Sequence, residues 1–205
     1  MSRNDLDVTL DLIAAQRSAQ RVRDMLIGLR GRFDLSPFEY TRQVRIAPLE
    51  TPHSHPVLTL NSFARDEIGL LTTYLHEQMH WYLVWYSHVH AARWDTVIAA
   101  LQARYPDAPV GTSEATPDRY SVDLHLVVNW LEIDVTARFL DRERVIEHAR
   151  ALPYYRWMYR TVIEDWGRLG ALYADHAVIP LRSATEMSAE DLRLAAVADD
   201  APARS

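Results

Sequence analysis

A mostly helical α+β fold is the class this sequence predicts, with a small β-hairpin or sheet leading into a buried helix and then a second core helix. Three observations carry that expectation. Most of the chain follows the 3.6-residue period of a helix, two short stretches between residues 40 and 61 alternate with period two, and two helical stretches are apolar on almost every side. A chain of 205 residues with 48% hydrophobic content, six Trp and ten Tyr has the apolar surface to build a core.

Taken in order, residues 5–30 read as one amphipathic helix, because Leu6, Leu10, Ile13, Ala14, Val22, Met25, Leu26 and Leu29 follow the helical period. Gly31 can close it, and Ser36-Pro37 marks a turn. Tyr40 to Ile46 alternates, with Val44 and Ile46 on one face, and reads as a strand. Pro48, Pro52 and Pro56 bracket a loop whose His53 and His55 read as exposed. Val57 to Asn61 is a second strand, placed to pair with the first as a hairpin.

Asp66 and Glu67 suit a helix N-terminus, and the helix should run to about Val89. Its Leu70, Leu71, Leu75, Met79, Trp81, Leu83, Val84 and Trp85 surround it with apolar surface, the mark of a buried helix. Pro106, Pro109, Gly111 and Pro117 make 105–119 a loop. A second apolar helix follows over 120–140, then a short helix from Arg142 to Leu152, a break at Pro153, and a helix from Tyr154 to about Tyr173. Residues 1–185 read as a single domain, and the small, acidic stretch 186–205 reads as a flexible tail.

Composition narrows the chemistry. The chain has no cysteine, so thiolate chemistry is excluded and any metal must be held by His, Asp or Glu. All 22 basic residues are Arg, which removes Schiff-base catalysis and Walker-type phosphate loops. A net charge of −6 without a basic stripe gives no sign of nucleic-acid binding. No run of about 18 apolar residues is present, so no membrane span is expected. Met1-Ser2-Arg3-Asn4-Asp5 lacks the apolar run of a secretory signal, and a cytoplasmic location is the expectation.

The most specific feature is His76-Glu77-Gln78-Met79-His80 inside the first apolar helix. Residues four apart share a helix face, so both imidazoles can reach one ion, with Glu77 beside the open coordination position as general base. The second apolar helix carries His125, Asn129 and Glu132 at i, i+4 and i+7, within about 60° on the wheel, with Thr136 on the same stripe. Asp123 and Asp134 fall on the other side, toward water. A helix this apolar should not bury a polar stripe without partners, and the two imidazoles and a cation would supply them. Glu132 is the preferred third ligand because a carboxylate partly neutralises a dication, and His125 is the rival. Asn129 suits a hydrogen bond that orients a ligand.

With these residues the chain resembles the zincin metallopeptidases, most closely the gluzincin branch, over roughly residues 55–140. The resemblance implies a single zincin-like domain, zinc held by His76, His80 and Glu132, and Glu77 as general base on the attacking water. It also implies a peptide or protein substrate. The chain departs from the family pattern around both motifs. The gluzincin third ligand sits in N-E-x-x-x-D, whereas here Asn129 is three residues before Glu132 and position 136 is Thr. Leu83 and Tyr86 stand where the metzincin branch has Gly and His.

A tetrahedral oxyanion needs a donor besides the metal, and Tyr159 or His125 is the candidate. The segment Tyr154-Tyr155-Arg156-Trp157-Met158-Tyr159-Arg160 reads either as core packing or as an active-site wall, with Arg160 set to pair with Glu164. Two other classes compete. A non-catalytic zinc staple would be closed by His76, His80, His125 and Glu132. A di-iron bundle needs a second E-x-x-H pair, and Val135 stands at that spacing from Glu132.

Overall fold

The structure is a computed structural model, and it describes residues 7–10 and 16–197. Among the described residues the chain divides into two compact units: residues 7–85 with 183–197, and residues 86–182. The fold is α+β and mostly helical, as expected, with eight α-helices and one small sheet among the described residues.

In the first unit, β1 (Asp7–Leu10), β2 (Gln43–Ile46) and β3 (Leu58–Leu60) form a three-stranded sheet in that order, with both pairings parallel. α1 (Gln16–Arg32) joins β1 to β2. Parallel neighbours need such a crossover, since a tight turn cannot return the chain to the same end. This corrects two expectations. Within residues 5–30, Asp7–Leu10 is a strand and the helix starts at Gln16; its buried stripe begins at Ala19, Val22, Leu26 and Leu29, all fully buried, and residues 5–6 and 11–15 lie outside the described residues.

The hairpin expected of the two strands is absent as well, and β2 and β3 run parallel. The loop between them reverses on itself first: His53 bridges antiparallel to Thr59, with N···O distances of 3.1 and 2.8 Å. That bridge gives Thr59 a backbone partner besides β2. All three β3 residues are buried, as befits a strand covered on both faces.

α2 (Glu67–Val89) starts where Asp66 caps it, accepting from the Gly69 backbone N–H at 2.9 Å. The stretch expected to be a loose tail from residue 186 contains α8 (Ala189–Ala195), opened by a Ser188/Asp191 capping box. Trp85 Nε1 donates to Asp191 Oδ1 at 2.9 Å and fastens it. His55 does the same through Nε2 to the Ala195 carbonyl at 2.8 Å, with its ring stacked 4.5 Å from Trp81. His55 is therefore a half-buried anchor rather than an exposed loop histidine. Residues 198–205 lie outside the described residues.

In the second unit, α3 (Ala91–Arg104) is a helix that the sequence reading passed over. α4 (Arg119–Thr136) is capped by Asp118, which accepts from the Ser121 N–H at 2.8 Å. α5 (Arg142–Ala151) follows as expected. The single helix expected over 154–173 is two, α6 (Arg156–Glu164) and α7 (Trp166–Asp175), separated at Asp165. Asp165 accepts from Tyr105 Oη at 2.7 Å and from Arg168 at 3.0 Å, which fixes it at the junction.

Asp123 is the clearest reversal on α4. It is fully buried, not solvent-facing, and is paired with Arg119 at 3.1 Å and Gln102 at 2.9 Å. Arg160 faces Glu114, at 4.0 Å, rather than the i+4 partner expected for it.

Candidate metal centre

α2 is fixed in rotation by a stripe the sequence reading did not single out. Tyr74, Gln78, Trp81 and Trp85 lie at i, i+4, i+7 and i+11, so they share a face. Each donates a hydrogen bond within the first unit. Tyr74 Oη reaches Glu39 Oε1 at 2.9 Å, and Trp81 Nε1 reaches the Ser54 carbonyl at 2.8 Å. Gln78 uses both ends of its carboxamide on Thr41: Nε2 donates to the carbonyl at 2.8 Å, and Oε1 accepts from the N–H at 3.1 Å. Glu39 is held in turn by a bidentate pair with Arg30, at 2.6 and 2.9 Å. With that face tied down, His76 and His80 are turned to the opposite side of the helix.

The two imidazoles meet there edge to face, with ring centroids 5.1 Å apart. His76 is 8% exposed, His80 7% and Glu77 5%, so both nitrogen donors and the carboxylate sit in a low-dielectric setting.

α4 carries its polar stripe inward as the spacing requires. His125 is 7% exposed, Asn129 0%, Glu132 1% and Thr136 0%. His125 Nδ1 lies 2.7 Å from the Ser121 carbonyl oxygen. A carbonyl only accepts, so Nδ1 carries the hydrogen, and in the neutral ring the lone pair is on Nε2. That is the tautomer a metal ligand needs, oriented by a backbone partner. The Tyr155 ring packs against this imidazole at 4.5 Å, from a residue held in the left-handed region at φ 53°. Tyr159 Oη donates to Glu132 Oε2 at 2.7 Å, so its one hydrogen goes to that carboxylate. Both polar atoms of Asn129, and Thr136 Oγ1, are buried without a hydrogen-bond partner.

His76, His80 and His125 each offer a ring nitrogen, and these three atoms lie within 4.8 Å of one another. Among the described residues this is the one His, Asp and Glu group able to hold a metal ion. Of the residues picked out by sequence, three imidazoles are thus brought together, Glu77 adjoins one of them in the chain, and Glu132 is bonded to Tyr159. A set of three imidazole nitrogens suits zinc or another borderline divalent ion, and the hydrogen on His125 Nδ1 leaves its Nε2 to such an ion.

Burial raises the phenol pKa of Tyr74, Tyr159 and Tyr173, and the neighbouring charges of Glu39 and Glu132 raise the first two further. The folded state therefore holds these three protons more tightly than the unfolded chain does. The resulting stability is complete below the ordinary tyrosine value of about 10 and is lost as pH climbs toward the raised folded-state values. Stability should therefore fall as pH rises above about 10, each of the three phenols contributing to the loss. Urea unfolding between pH 8 and 11, with tyrosinate absorbance followed alongside, checks this. Smooth ionisation of all ten tyrosines without loss of stability would contradict it.

No family model, curated protein or solved structure matches this chain. No helix among the described residues is long and apolar enough to cross a membrane.

Proposed function

We propose that His76, His80 and His125 hold one zinc ion and that the chain is a zinc-dependent hydrolase acting on a carbonyl substrate. The observation carrying the reading is the group of three buried ring nitrogens within 4.8 Å, two of them from an H-E-x-x-H helix that resembles the zincin motif. His125 replaces Glu132 as the preferred third ligand because its Nε2 lone pair is set by the Ser121 carbonyl. Glu132 is then the carboxylate that accepts from Tyr159, on the same helix as His125.

A bound zinc ion would polarise the substrate carbonyl and make water in the site easier to deprotonate. Glu77 accepts a proton from the attacking water as the new C–O bond forms. It then returns that proton to the leaving group as the bond to carbon breaks, so atoms and charge balance. The burial of Glu77 strengthens its interaction with charge that develops beside it.

The rival reading, a structural zinc closed by four protein ligands, is favoured by one observation: Glu132 is as buried as the imidazoles. Metal analysis of the purified protein tests both. One zinc per chain is expected, with loss in His125→Ala and retention in Glu132→Ala. X-ray absorption should then show three nitrogen neighbours and one light-atom ligand that exchanges with added anions. A metal-free protein, or one that keeps zinc in His125→Ala, sinks the proposal. A fourth, non-exchanging carboxylate favours the staple.

A further inference from the structure

Asn129 is the least explained residue in the structure. It is 0% exposed, yet neither Nδ2 nor Oδ1 has a hydrogen-bond partner. Native interiors rarely leave a carboxamide unspent at both ends, and such a group points to a ligand or ordered water. Asn129 lies one helical turn from His125 on the same face of α4, about 6 Å along the axis. The site's own polar groups are otherwise engaged: Glu132 with Tyr159, and His125 Nδ1 with the Ser121 carbonyl.

We propose that Asn129 is a substrate-binding residue that selects a small primary carboxamide. The inference rests on the hydrolase reading and narrows its substrate. An unspent donor and an unspent acceptor on one side chain call for a partner that offers both in return. A primary amide does so, because its carbonyl accepts from Nδ2 while its N–H donates to Oδ1. An ester has no N–H, and its alkoxy oxygen would meet Oδ1 acceptor to acceptor. Phosphates and carboxylates fail at the same atom. Gln78 shows the two-ended pairing elsewhere in this chain, gripping the N–H and carbonyl of Thr41 with one carboxamide. Asn129 is itself wholly enclosed, so the partner must be small. Hydrolysis of such an amide forms a C–O bond, breaks the C–N bond and releases ammonia and a carboxylic acid.

Leaving Oδ1 buried without a partner disfavours an ester by about ten- to a hundredfold relative to the matching amide. The test uses the full chain, zinc-loaded and metal-free, with acetamide and methyl acetate as probes. Binding is followed through the Asn129 side-chain NH₂ signal in ¹⁵N NMR and by calorimetry. Acetamide should move that signal saturably and bind at least tenfold more tightly than methyl acetate. Asn129→Leu should abolish the preference. Asn129→Asp keeps the size but turns the donor into an acceptor, and should weaken acetamide by a similar factor if the leucine variant does not fold.

Equal binding of the two probes, or binding of neither, overturns the proposal and leaves an internal water as the partner of Asn129. Zinc at one per chain without acetamide selectivity defeats this inference alone. Acetamide selectivity in a protein that takes up no zinc supports it and defeats the metal reading.

Discussion

Glu77→Gln is expected to keep its zinc and lose turnover by about 10²- to 10⁴-fold, the usual contribution of a positioned general base. The substitution keeps the shape of a side chain that is 5% exposed and leaves the three imidazole nitrogens untouched. Only the ability to accept a proton is removed. Turnover of a panel of small amides and esters by the zinc-loaded wild type and variant checks this, with metal content measured on the same samples. The split between retained metal and lost rate is what separates a base from a ligand. A variant that matches wild type on every substrate turned over would remove Glu77 from the chemistry.

Glu39→Ala should destabilise the protein by about 3–5 kcal/mol, the largest stability effect expected of one substitution here. The Glu39 side chain is completely buried and neutralises Arg30, whose side chain is 14% exposed. It also accepts from the fully buried Tyr74 hydroxyl. Removing it leaves a mostly buried cation and a phenol unpaired together, and each carries its own desolvation penalty. Arg30→Met with Glu39→Leu should recover the part of the loss that comes from the unpaired cation, because two apolar side chains of similar volume need no partner, while the Tyr74 phenol still lacks its acceptor. Urea midpoints for the single and double variants measure it. A single variant within 1 kcal/mol of wild type would show that the pair is far more hydrated than its burial implies. Tyr74 is one of the hydrogen bonds that set α2, so the destabilised variant should also bind zinc less tightly.

Several features of the site were legible in the chain because they depend on local geometry. The four-residue spacing of His76 and His80, and the His125, Asn129, Glu132 and Thr136 stripe, follow from 3.6 residues per turn. Apolar surroundings on both helices correctly announced that these polar residues would be interior. The same reasoning failed for Asp123. A carboxylate off the polar stripe looks solvated, but α3 supplies Gln102 and α4 itself supplies Arg119, and these two partners let the carboxylate be fully buried. It failed again for residues 5–30, where Leu6, Leu10 and Ile13 prolong a helical period across what is partly a strand. Four residues of β1 are too few for a period-two pattern to compete with a longer helical one. The start of α8 is written in the chain itself: Ser188 followed three residues later by Asp191 forms a capping box.

What the amino-acid order determined by itself is which side chains share a face: two imidazoles on α2, and a histidine, an amide and a carboxylate on α4. Helical period is a property of a few consecutive residues, so it needs nothing from the rest of the chain. What only the tertiary structure decided is where those faces point and in which chemical form. The turn of α2 comes from Glu39, Thr41, Ser54 and Asp191, which lie 27 to 106 residues away from their partners on that helix. The parallel course of β3 comes from a loop that first folds back on Thr59. Even the His125 tautomer, set by a carbonyl only four residues away, exists only once α4 has formed and its side chain has been buried against that bond. Long-range hydrogen bonds choose among orientations that the local period leaves equally good.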